Sequence, residues 1–315
     1  MELENRWLRE TYVDELIRAA QENENVVILE ADLMKAAGTN RFAAAFPERT
    51  FDIGIAEANM IGVAAGMSAM GKIPFTHTFT PFSTRRCCDQ VTLSVAYAGL
   101  NVKIMGSDPG VTAELNGGTH MSMEDVAIMR NIPGMLVFEP TDSAQLRAAF
   151  PQIVSHPGPV YIRLLRRTAV KVFEDGCAFE LGKGIILRPG KDVSIVASGI
   201  ETAEALDAAE LLAANGIDAE VINIHTIKPL DTELLLESAA KTGCVVTAEN
   251  HSILNGLGSA VAECLVENLP VPMQRVGVKD HFGEVGSTEF LKEKYGLKAV
   301  NITAAAQKAV TRKRT

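Results

Sequence analysis

Residue types suited to binding and activating a small molecule are concentrated between Phe51 and Asp142. The first of them is Glu57, which follows a short strand-like run and opens a helical segment rich in Ala and Gly. A carboxyl group in that position is only partly solvated, which suits general acid–base chemistry. The alternative is a glutamate that merely stabilises a helix start through the helix dipole, and spacing alone leaves both interpretations open.

Two further segments add aromatic and imidazole side chains. Phe79 and Phe82 lie in a stretch rich in Thr and Pro that is a poor helix former. Only 5% of the residues are aromatic, so paired phenylalanines in a loop indicate a pocket for a flat ligand, with core packing as the alternative. Gly117 and Gly118 precede His120, and two glycines let the backbone approach a ligand closely and present the imidazole. A lone histidine in a loop is, however, more often structural.

The segments around these residues alternate between apolar runs and helical spacing. Buried strands are predicted at 26–29, 101–106 and 135–138, and helices at 58–70 and 143–154. This alternation predicts the α/β class, with a mostly parallel sheet covered by helices on both faces. In such sheets ligands bind at the carboxyl ends of the strands.

The chain is predicted to form two domains. From 167 to 190 the sequence contains several glycines and has no sustained period, which indicates an interdomain linker. Strands and helices alternate again from Val193 onward. We therefore predict one α/β domain at 1–166 and a smaller one at 191–315.

Composition argues against several other functional classes. The formal net charge of −9 does not favour a nucleic-acid surface, which needs basic patches. The five cysteines show no CxxC and no paired spacing, which predicts a reducing compartment and no zinc site. No apolar run reaches membrane-spanning length and the start lacks an apolar signal core, so a cytoplasmic protein without membrane contact is expected.

Taken together, these blocks resemble the transketolase family. The resemblance covers nearly the whole chain in the expected order, and it is specific as a set. The matching segments are GIAEANMIG (54–62), HTFTPF (77–82), GGTH (117–120), IPGMLVFEPTD (132–142), TIKPLD (226–231), ENH (249–251) and GLGSA (256–260).

The resemblance implies a pyrimidine-binding domain for thiamine diphosphate, followed by a transketolase C-terminal domain. In this family a glutamate at the position of Glu57 hydrogen-bonds a ring nitrogen of the cofactor's aminopyrimidine, which promotes ylide formation. Phe79 corresponds to the aromatic residue that stacks on the pyrimidine, and Phe82 to a second wall of that pocket. Asp32 matches the family's ADL segment near the cofactor.

The resemblance also implies substrate contacts. His120 matches the histidine that handles protons of the donor sugar's hydroxyls. Arg9 and Arg166 match two arginines that hold the substrate's phosphate, and a guanidinium fork suits a tetrahedral oxyanion. An exposed helix arginine and an ion pair at the edge of the linker are the respective alternatives.

Departures from the family pattern affect mainly these substrate contacts. Asn116 stands where an aspartate is expected, and Asp108 where a second substrate histidine is usual. His77 replaces a small hydroxyl residue, and Ala36 or Ala37 falls where a phosphate-binding serine is often found. The pattern predicts a transketolase-type reaction on an unusual sugar, such as a branched or sulfonated one.

A motif that the chain lacks predicts a partner. Complete thiamine diphosphate enzymes carry a Gly-Asp-Gly motif for Mg²⁺ and diphosphate, and none occurs in this sequence. We therefore expect no metal ligands in this chain. A separate N-terminal diphosphate-binding transketolase subunit should supply them, and self-association should give an α2β2 heterotetramer.

The predicted activity is transfer of a two-carbon ketol unit from an acidic ketose to an aldose. The enzyme alternatives are the beta subunit of a 2-oxo-acid dehydrogenase and an enzyme like deoxyxylulose-phosphate synthase. The non-enzyme alternative is a regulatory or scaffold partner of an active homologue. A nucleotide-binding α/β protein is disfavoured because the sequence has no GxGxxG and no P-loop.

Overall fold

A computed structural model of the chain describes residues 2–313, so the predicted outer domain bounds at 1 and 315 lie outside the described residues. Within this range the strands are β1 (Val26–Glu30), β2 (Thr50–Asp52), β3 (Ile73–Phe79), β4 (Lys103–Ser107), β5 (Leu136–Phe138), β6 (Val160–Leu164), β7 (Ile185–Arg188), β8 (Val193–Ala197), β9 (Ala219–Asn223), β10 (Thr226–Lys228), β11 (Val245–Ser252) and β12 (Met273–Val278).

The α-helices of the same range are α1 (Leu8–Glu22), α2 (Met34–Ala37), α3 (Asn40–Ala45), α4 (Glu57–Ala69), α5 (Thr80–Ser83), α6 (Cys88–Gln90), α7 (Asp125–Asn131), α8 (Ser143–Ser155), α9 (Glu201–Ala213), α10 (Thr232–Thr242), α11 (Leu257–Asn268), α12 (Thr288–Tyr295) and α13 (Ala299–Lys313). Short 3₁₀ segments lie at Pro47–Arg49, Arg85–Cys87 and Gly110–Asn116, and a π-helical segment at Val91–Tyr97. None of these helices is both long and apolar enough to cross a membrane.

The first sheet has the strand order β10-β5-β6-β4-β3-β1-β2 and is parallel except for β10. Every residue of β1, β4 and β6 is buried, as expected for central strands covered on both faces. One face packs against α1 and α8, and the other against α4, α7 and the π-helical segment. The predicted α/β class is confirmed.

The second sheet has the order β12-β11-β8-β9-β7, with β7 antiparallel to β9. Helices α9 and α13 cover one face of this sheet, and α10 and α11 cover the other. Each sheet therefore has its own two-sided core, which is the arrangement expected of two α/β domains.

Two strands differ from the organisation expected from the sequence. β7 lies inside the predicted linker at 167–190, where a half-exposed, irregularly paired edge strand leaves little periodic signal. β10 follows β9 in the chain but pairs with β5, so a segment predicted in the second domain extends the first sheet. The domain bounds themselves stay a prediction.

Candidate active site

The parallel sheet brings most of the predicted site residues to one edge. Phe79 is the last residue of β3, Asp108 directly follows β4, and Asp32 and Arg166 lie two residues after β1 and β6. Glu57 opens α4 just after β2. Because β6, β4, β3, β1 and β2 are consecutive neighbours, these residues follow one another along the carboxyl edge, where ligands bind in such sheets.

Glu57 is almost fully buried at the first turn of α4, with 3% exposure. Its Oε1 accepts a hydrogen bond from Arg86 Nη1 at 2.8 Å and lies 3.5 Å from the Thr78 hydroxyl. No side chain within residues 2–313 donates to Oε2. The Arg86 guanidinium also stacks 3.8 Å from the centroid of the Phe82 ring. Glu57 is thus held in place through one oxygen, and the other is available to a ligand.

Phe79, Phe82 and His120 form an edge-to-face group, here called the aromatic cluster. The His120 ring centroid lies 5.7 Å from that of Phe79 and 5.1 Å from that of Phe82. The Thr119 hydroxyl lies 2.9 Å from His120 Nδ1. Imidazole and aromatic side chains from separate segments therefore meet at one place, as required if they serve one ligand.

The sequence suggested that the two phenylalanines lie in a loop, and this prediction was wrong. Phe79 ends a strand in which the β-branched Thr76 and Thr78 are buried, and Phe82 belongs to the short helix α5. Pro81 lies in the first turn of that helix, where its missing N–H costs nothing. The strand end and the helical turn give both rings fixed directions.

The two glycines before His120 are adjacent to the second domain. A Cβ on Gly118 would lie 2.3 Å from the carbonyl oxygen of Gly283, and one on Gly117 would lie 2.9 Å from Val285 Cγ2. Gly117 also has φ +71°, a conformation that side chains disfavour. Close contact with the segment 283–285 is therefore a physical reason for these glycines that sequence analysis did not anticipate.

Glu114 reinforces the same contact and was missed by sequence reasoning. Its backbone has φ +49°, an uncommon conformation for a residue with a side chain. Oε1 accepts hydrogen bonds from the backbone N–H and the hydroxyl of Thr288, at 3.2 and 2.6 Å. Oε2 lies 2.7 Å from Arg167 Nη2. These hydrogen bonds and this ion pair hold the loop that carries His120 against α12 of the second domain and against the segment that follows β6.

A cavity of about 480 Å³, here called the cationic cavity, opens beside this loop. Arg9 stacks 4.3 Å from the centroid of the Trp7 ring, and its Nη1 donates to the carbonyl oxygen of Ala36. Burial, together with the nearby Arg166 charge, lowers the pKa of Arg9. The lining residues are Trp7, Arg9, Asp32, Leu33, Lys35, Ala36, Arg166 and Arg167.

The structure therefore brings the two predicted arginines and Asp32 together in one cavity. Lys35 and Arg167 add positive charge that sequence reasoning missed, since no motif contained them. The cavity is next to the aromatic cluster, because the Arg166 Cζ lies 5.7 Å from the centroid of Phe79. An anion bound by Arg166 would therefore lie near Phe79 of the aromatic cluster.

Asp108 lies behind Arg166. It is fully buried, and its Oδ2 is 2.9 Å from Arg166 Nη2. This contact is an ion pair without an aligned hydrogen bond, because neither carboxylate oxygen meets hydrogen-bond geometry within residues 2–313. Burial raises the pKa of Asp108 to about 6, an effect that the Arg166 charge partly offsets.

Two of the predicted substrate residues lie apart from this cavity. The His77 side chain is fully buried, with Nε2 2.9 Å from the Tyr12 hydroxyl and Nδ1 3.2 Å from Glu30 Oε1. Asn116 is exposed on the loop that leads to His120. The structure does not bring either side chain to the cationic cavity, and their substrate roles stay predictions.

The comparison with known proteins agrees with this geometry. Residues 6–170 match the family model of the transketolase pyrimidine-binding domain, and residues 182–302 match that of the transketolase C-terminal domain. The chain belongs to the transketolase family.

Individual relatives narrow the assignment. A 6-deoxy-6-sulfo-D-fructose transketolase subunit of Clostridium sp. (strain MSTE9) is 66% identical over 99% of this chain and 97% of that protein. A split-gene transketolase, solved as an inactive beta4 tetramer, matches with a TM-score of 0.90 and 50% identity over 98% of this chain and 99% of that chain. The assignment to a transketolase subunit that acts as an enzyme with a partner is confirmed.

The deoxyxylulose-phosphate synthase alternative is more distant. The 1-deoxy-D-xylulose-5-phosphate synthase 1 of Geobacter sulfurreducens is 38% identical over 93% of this chain, and the match spans 46% of that protein. The sulfofructose transketolase subunit and the split-gene transketolase described above match this chain at higher identity, and each is covered along nearly its whole length.

Proposed function

We propose that this chain forms the pyrimidine-binding half of a thiamine diphosphate site, and that a diphosphate-binding partner subunit forms the other half. The observation that carries the proposal is the convergence of Glu57 and the aromatic cluster at the carboxyl edge of the first sheet. Family membership implies use of this cofactor, and the residues present fit it. Two aromatic walls suit a flat pyrimidine, and a carboxylate oxygen that has no protein donor, on an otherwise buried side chain, suits one ring nitrogen.

Each residue of the site then has a defined task. When bound, thiamine diphosphate supplies the carbanion chemistry that breaks and forms the carbon–carbon bond. Glu57 binds the ring nitrogen through Oε2, while Arg86 fixes Oε1. Phe79 and Phe82 orient the ring and exclude water. His120 exchanges protons with the hydroxyl groups of the sugar through Nε2, since Nδ1 contacts Thr119.

The proposal assigns Mg²⁺ and the diphosphate to the partner subunit. The sequence has no Gly-Asp-Gly motif, and the part of the chain that the structure describes has no cluster of three or more His, Cys, Asp or Glu side chains that could hold a metal ion. The relative that was solved without its other half is described as an inactive beta4 tetramer, which supports a requirement for the partner. We propose an α2β2 heterotetramer. A cytoplasmic location is proposed because the five cysteines are unpaired.

For the donor we propose a ketose with an acidic group at its far end, 6-deoxy-6-sulfo-D-fructose being the best supported. The relative that is 66% identical is named for that sugar. In this chain Arg9 and Arg166 line the cationic cavity, and Arg166 lies next to Phe79, so the two arginines would hold the acidic end while the carbonyl end reaches the cofactor.

The deciding experiment is a calorimetric titration of thiamine diphosphate and Mg²⁺ into the chain alone and into its mixture with the partner subunit. We expect tight binding only to the mixture, because neither half site is complete. In the mixture, Glu57→Gln should weaken cofactor binding and lower the exchange of the thiazolium proton, followed by NMR, by about two to four orders of magnitude.

The control is Glu48→Gln, which changes a glutamate whose side chain is 68% exposed and should behave as the wild type. Tight Mg²⁺-dependent binding by the chain alone would contradict the shared site. Near-normal proton exchange in Glu57→Gln would contradict the role of Glu57. Decarboxylation of a 2-oxo acid by the mixture, without ketol transfer, would favour the dehydrogenase alternative.

A further inference from the structure

On the basis of the proposed function, we propose that Asp108 makes the cationic cavity selective for a singly charged anion, a sulfonate, over a doubly charged phosphate. Asp108 acts as a specificity-determining residue: it does not bind the anion itself but limits the positive charge that Arg166 offers to it. The proposal deepens the donor assignment, because it gives a physical reason for choosing between two acidic sugars of similar shape.

The charges around the cavity nearly balance. Within residues 2–313, four cationic side chains line the cavity. One carboxylate also lines it, and two more carboxylates form ion pairs with two of the lining arginines. One positive charge remains in excess. The cations are Arg9, Lys35, Arg166 and Arg167, and the carboxylates are Asp32, Asp108 and Glu114.

Asp108 is enclosed by the protein at this position. It directly follows β4, its backbone has φ +56°, and its side chain has no exposed surface. The charged groups that face it are Arg166, Arg167, Glu114 and Arg9. A charge this deeply buried is screened much less by salt than a surface charge, so it acts on any anion that reaches Arg166.

The two candidate ligands differ in charge more than in geometry. Both groups present three oxygens around a tetrahedral centre, and both suit a guanidinium. A phosphate monoester carries about −1.5 to −2 charge at pH 7, whereas a sulfonate carries a single negative charge. The additional negative charge of the phosphate is repelled by the Asp108 carboxylate, and the cavity lining within residues 2–313 has no further cation to offset that repulsion.

Arg166 has a free donor for such an anion. Its Nε is buried and has no hydrogen-bond partner within residues 2–313, while Nη2 faces Asp108. A buried guanidinium N–H without an acceptor is costly, so a ligand oxygen at this position would be stabilised. Arg166 Cζ lies 5.7 Å from the Phe79 ring centroid, so a sugar whose anionic end is bound at Arg166 can extend toward the aromatic cluster.

The test uses the complete enzyme, which is this chain together with its diphosphate-binding subunit. We would measure kcat/KM for 6-deoxy-6-sulfo-D-fructose and for fructose 6-phosphate at about pH 7.5. The wild type should prefer the sulfonate. Asp108→Asn should raise kcat/KM for the phosphate sugar about tenfold, through KM, and change that for the sulfonate much less; tenfold corresponds to about 1.4 kcal/mol. Asp175→Asn, which removes a carboxylate with 79% exposure paired with Arg147, should leave the ratio unchanged.

A wild-type preference for the phosphate sugar, or an unchanged ratio in Asp108→Asn, would overturn the proposal. If the variant does not fold, the proposal is tested by comparing the affinities of propane-1-sulfonate and propyl phosphate for the wild-type complex. The sulfonate should bind more tightly at about pH 7.5, and the difference should shrink near pH 5.5, where phosphate loses most of its second charge and Asp108, whose pKa is about 6, loses most of its own. Equal binding at the higher pH rejects the proposal. Failure of the wild type to turn over either sugar would instead contradict the proposed function, and this binding comparison needs no turnover.

Discussion

Glu57 and Asp108 are both buried carboxylates at the carboxyl edge of the first sheet, but their surroundings differ. Glu57 opens a helix and accepts a hydrogen bond from Arg86. Asp108 faces Arg166 without an aligned hydrogen bond and in a left-handed backbone conformation. A buried carboxylate such as Asp108, which accepts no aligned hydrogen bond, lowers the stability of the fold. Such a destabilising residue is typically retained for function.

We therefore predict a pH-dependent gain in stability for Asp108→Asn. Burial raises the pKa of Asp108 to about 6 in the folded chain, whereas an unfolded aspartate titrates near 3.9. Between these values the folded state binds more protons than the unfolded state, so the stability of the wild type falls as pH rises from about 4 to about 6. At about pH 7.5 the variant should be more stable by roughly 1–3 kcal/mol. Below about pH 4 this pH-dependent part of the gain should be absent.

Thermal melting of the two proteins between about pH 4 and pH 7.5 measures this difference. Asp175→Asn is the matched control, since its carboxylate is exposed and its effect should be small throughout. A difference between Asp108→Asn and the wild type that does not change with pH would show that Asp108 is not protonated in the predicted range.

At the scale of elements, the loop from Glu114 to His120 depends on the second domain. Glu114 binds Thr288 at the start of α12, and Gly118 lies against the backbone of Gly283. The catalytic histidine proposed here belongs to the first domain, yet its loop rests on a segment that comes more than 100 residues later in the chain. The C-terminal domain thus helps to position the loop that carries His120.

Gly118→Ala should separate these two elements. The added Cβ would lie 2.3 Å from the Gly283 carbonyl oxygen, so the loop or the segment must move. We expect a loss of about 1–3 kcal/mol in stability from overpacking and a tenfold to hundredfold fall in kcat of the complete enzyme, because His120 is displaced. Cofactor binding should be nearly unchanged, since Glu57 and Phe79 lie on other elements.

The control is Gly66→Ala, in α4, where an added Cβ meets no atom within 4 Å. In the isolated chain this change should leave stability equal or raise it by up to about 1 kcal/mol. A Gly118→Ala enzyme with wild-type kcat would show that the position of the loop is not set by the contact with Gly283.

At the scale of the whole molecule, a buried polar network joins the two domains. Arg163, the fourth of the five residues of β6, is almost fully buried. Its Nε donates to Asp125 at 2.7 Å, its Nη1 donates to Glu139, and its Nη2 donates to the carbonyl oxygen of Asn250 in β11 at 2.6 Å. Ser198 of the second domain completes the network by donating to Glu139 at 2.7 Å. A buried polar network of this kind fixes the relative position of the two sheets, because a shift of one sheet against the other would leave buried charges unpaired.

Arg163→Met should therefore be strongly destabilising, by about 3–5 kcal/mol, because Asp125 and Glu139 would remain buried without their cation. Arg147→Met is the matched control: its partner Asp175 is exposed, and a loss below about 1 kcal/mol is expected. Denaturant unfolding of the isolated chain measures both. Similar small losses in the two variants would mean that the network does not hold the domains together.

Much of the fold could be predicted from local patterns. The strand predicted at 26–29 and the helix predicted at 143–154 each end one residue before β1 and α8 do, and the helix predicted at 58–70 is shifted by one residue relative to α4. These segments are long or strongly apolar, so their periodicity is clear. β7 and β10 were not predicted, because short edge strands take their pairing from distant partners.

By itself the sequence determined the α/β class, the membership in the transketolase family and the position of Glu57 at a helix start. Each of these is encoded in neighbouring residues, through alternation or through a motif of fixed spacing. Only the tertiary structure decided that Asp108 pairs with Arg166 and that Gly118 lies against Gly283. Such contacts join residues far apart in the chain, and their distances are set by strand order and domain packing, which local spacing does not specify.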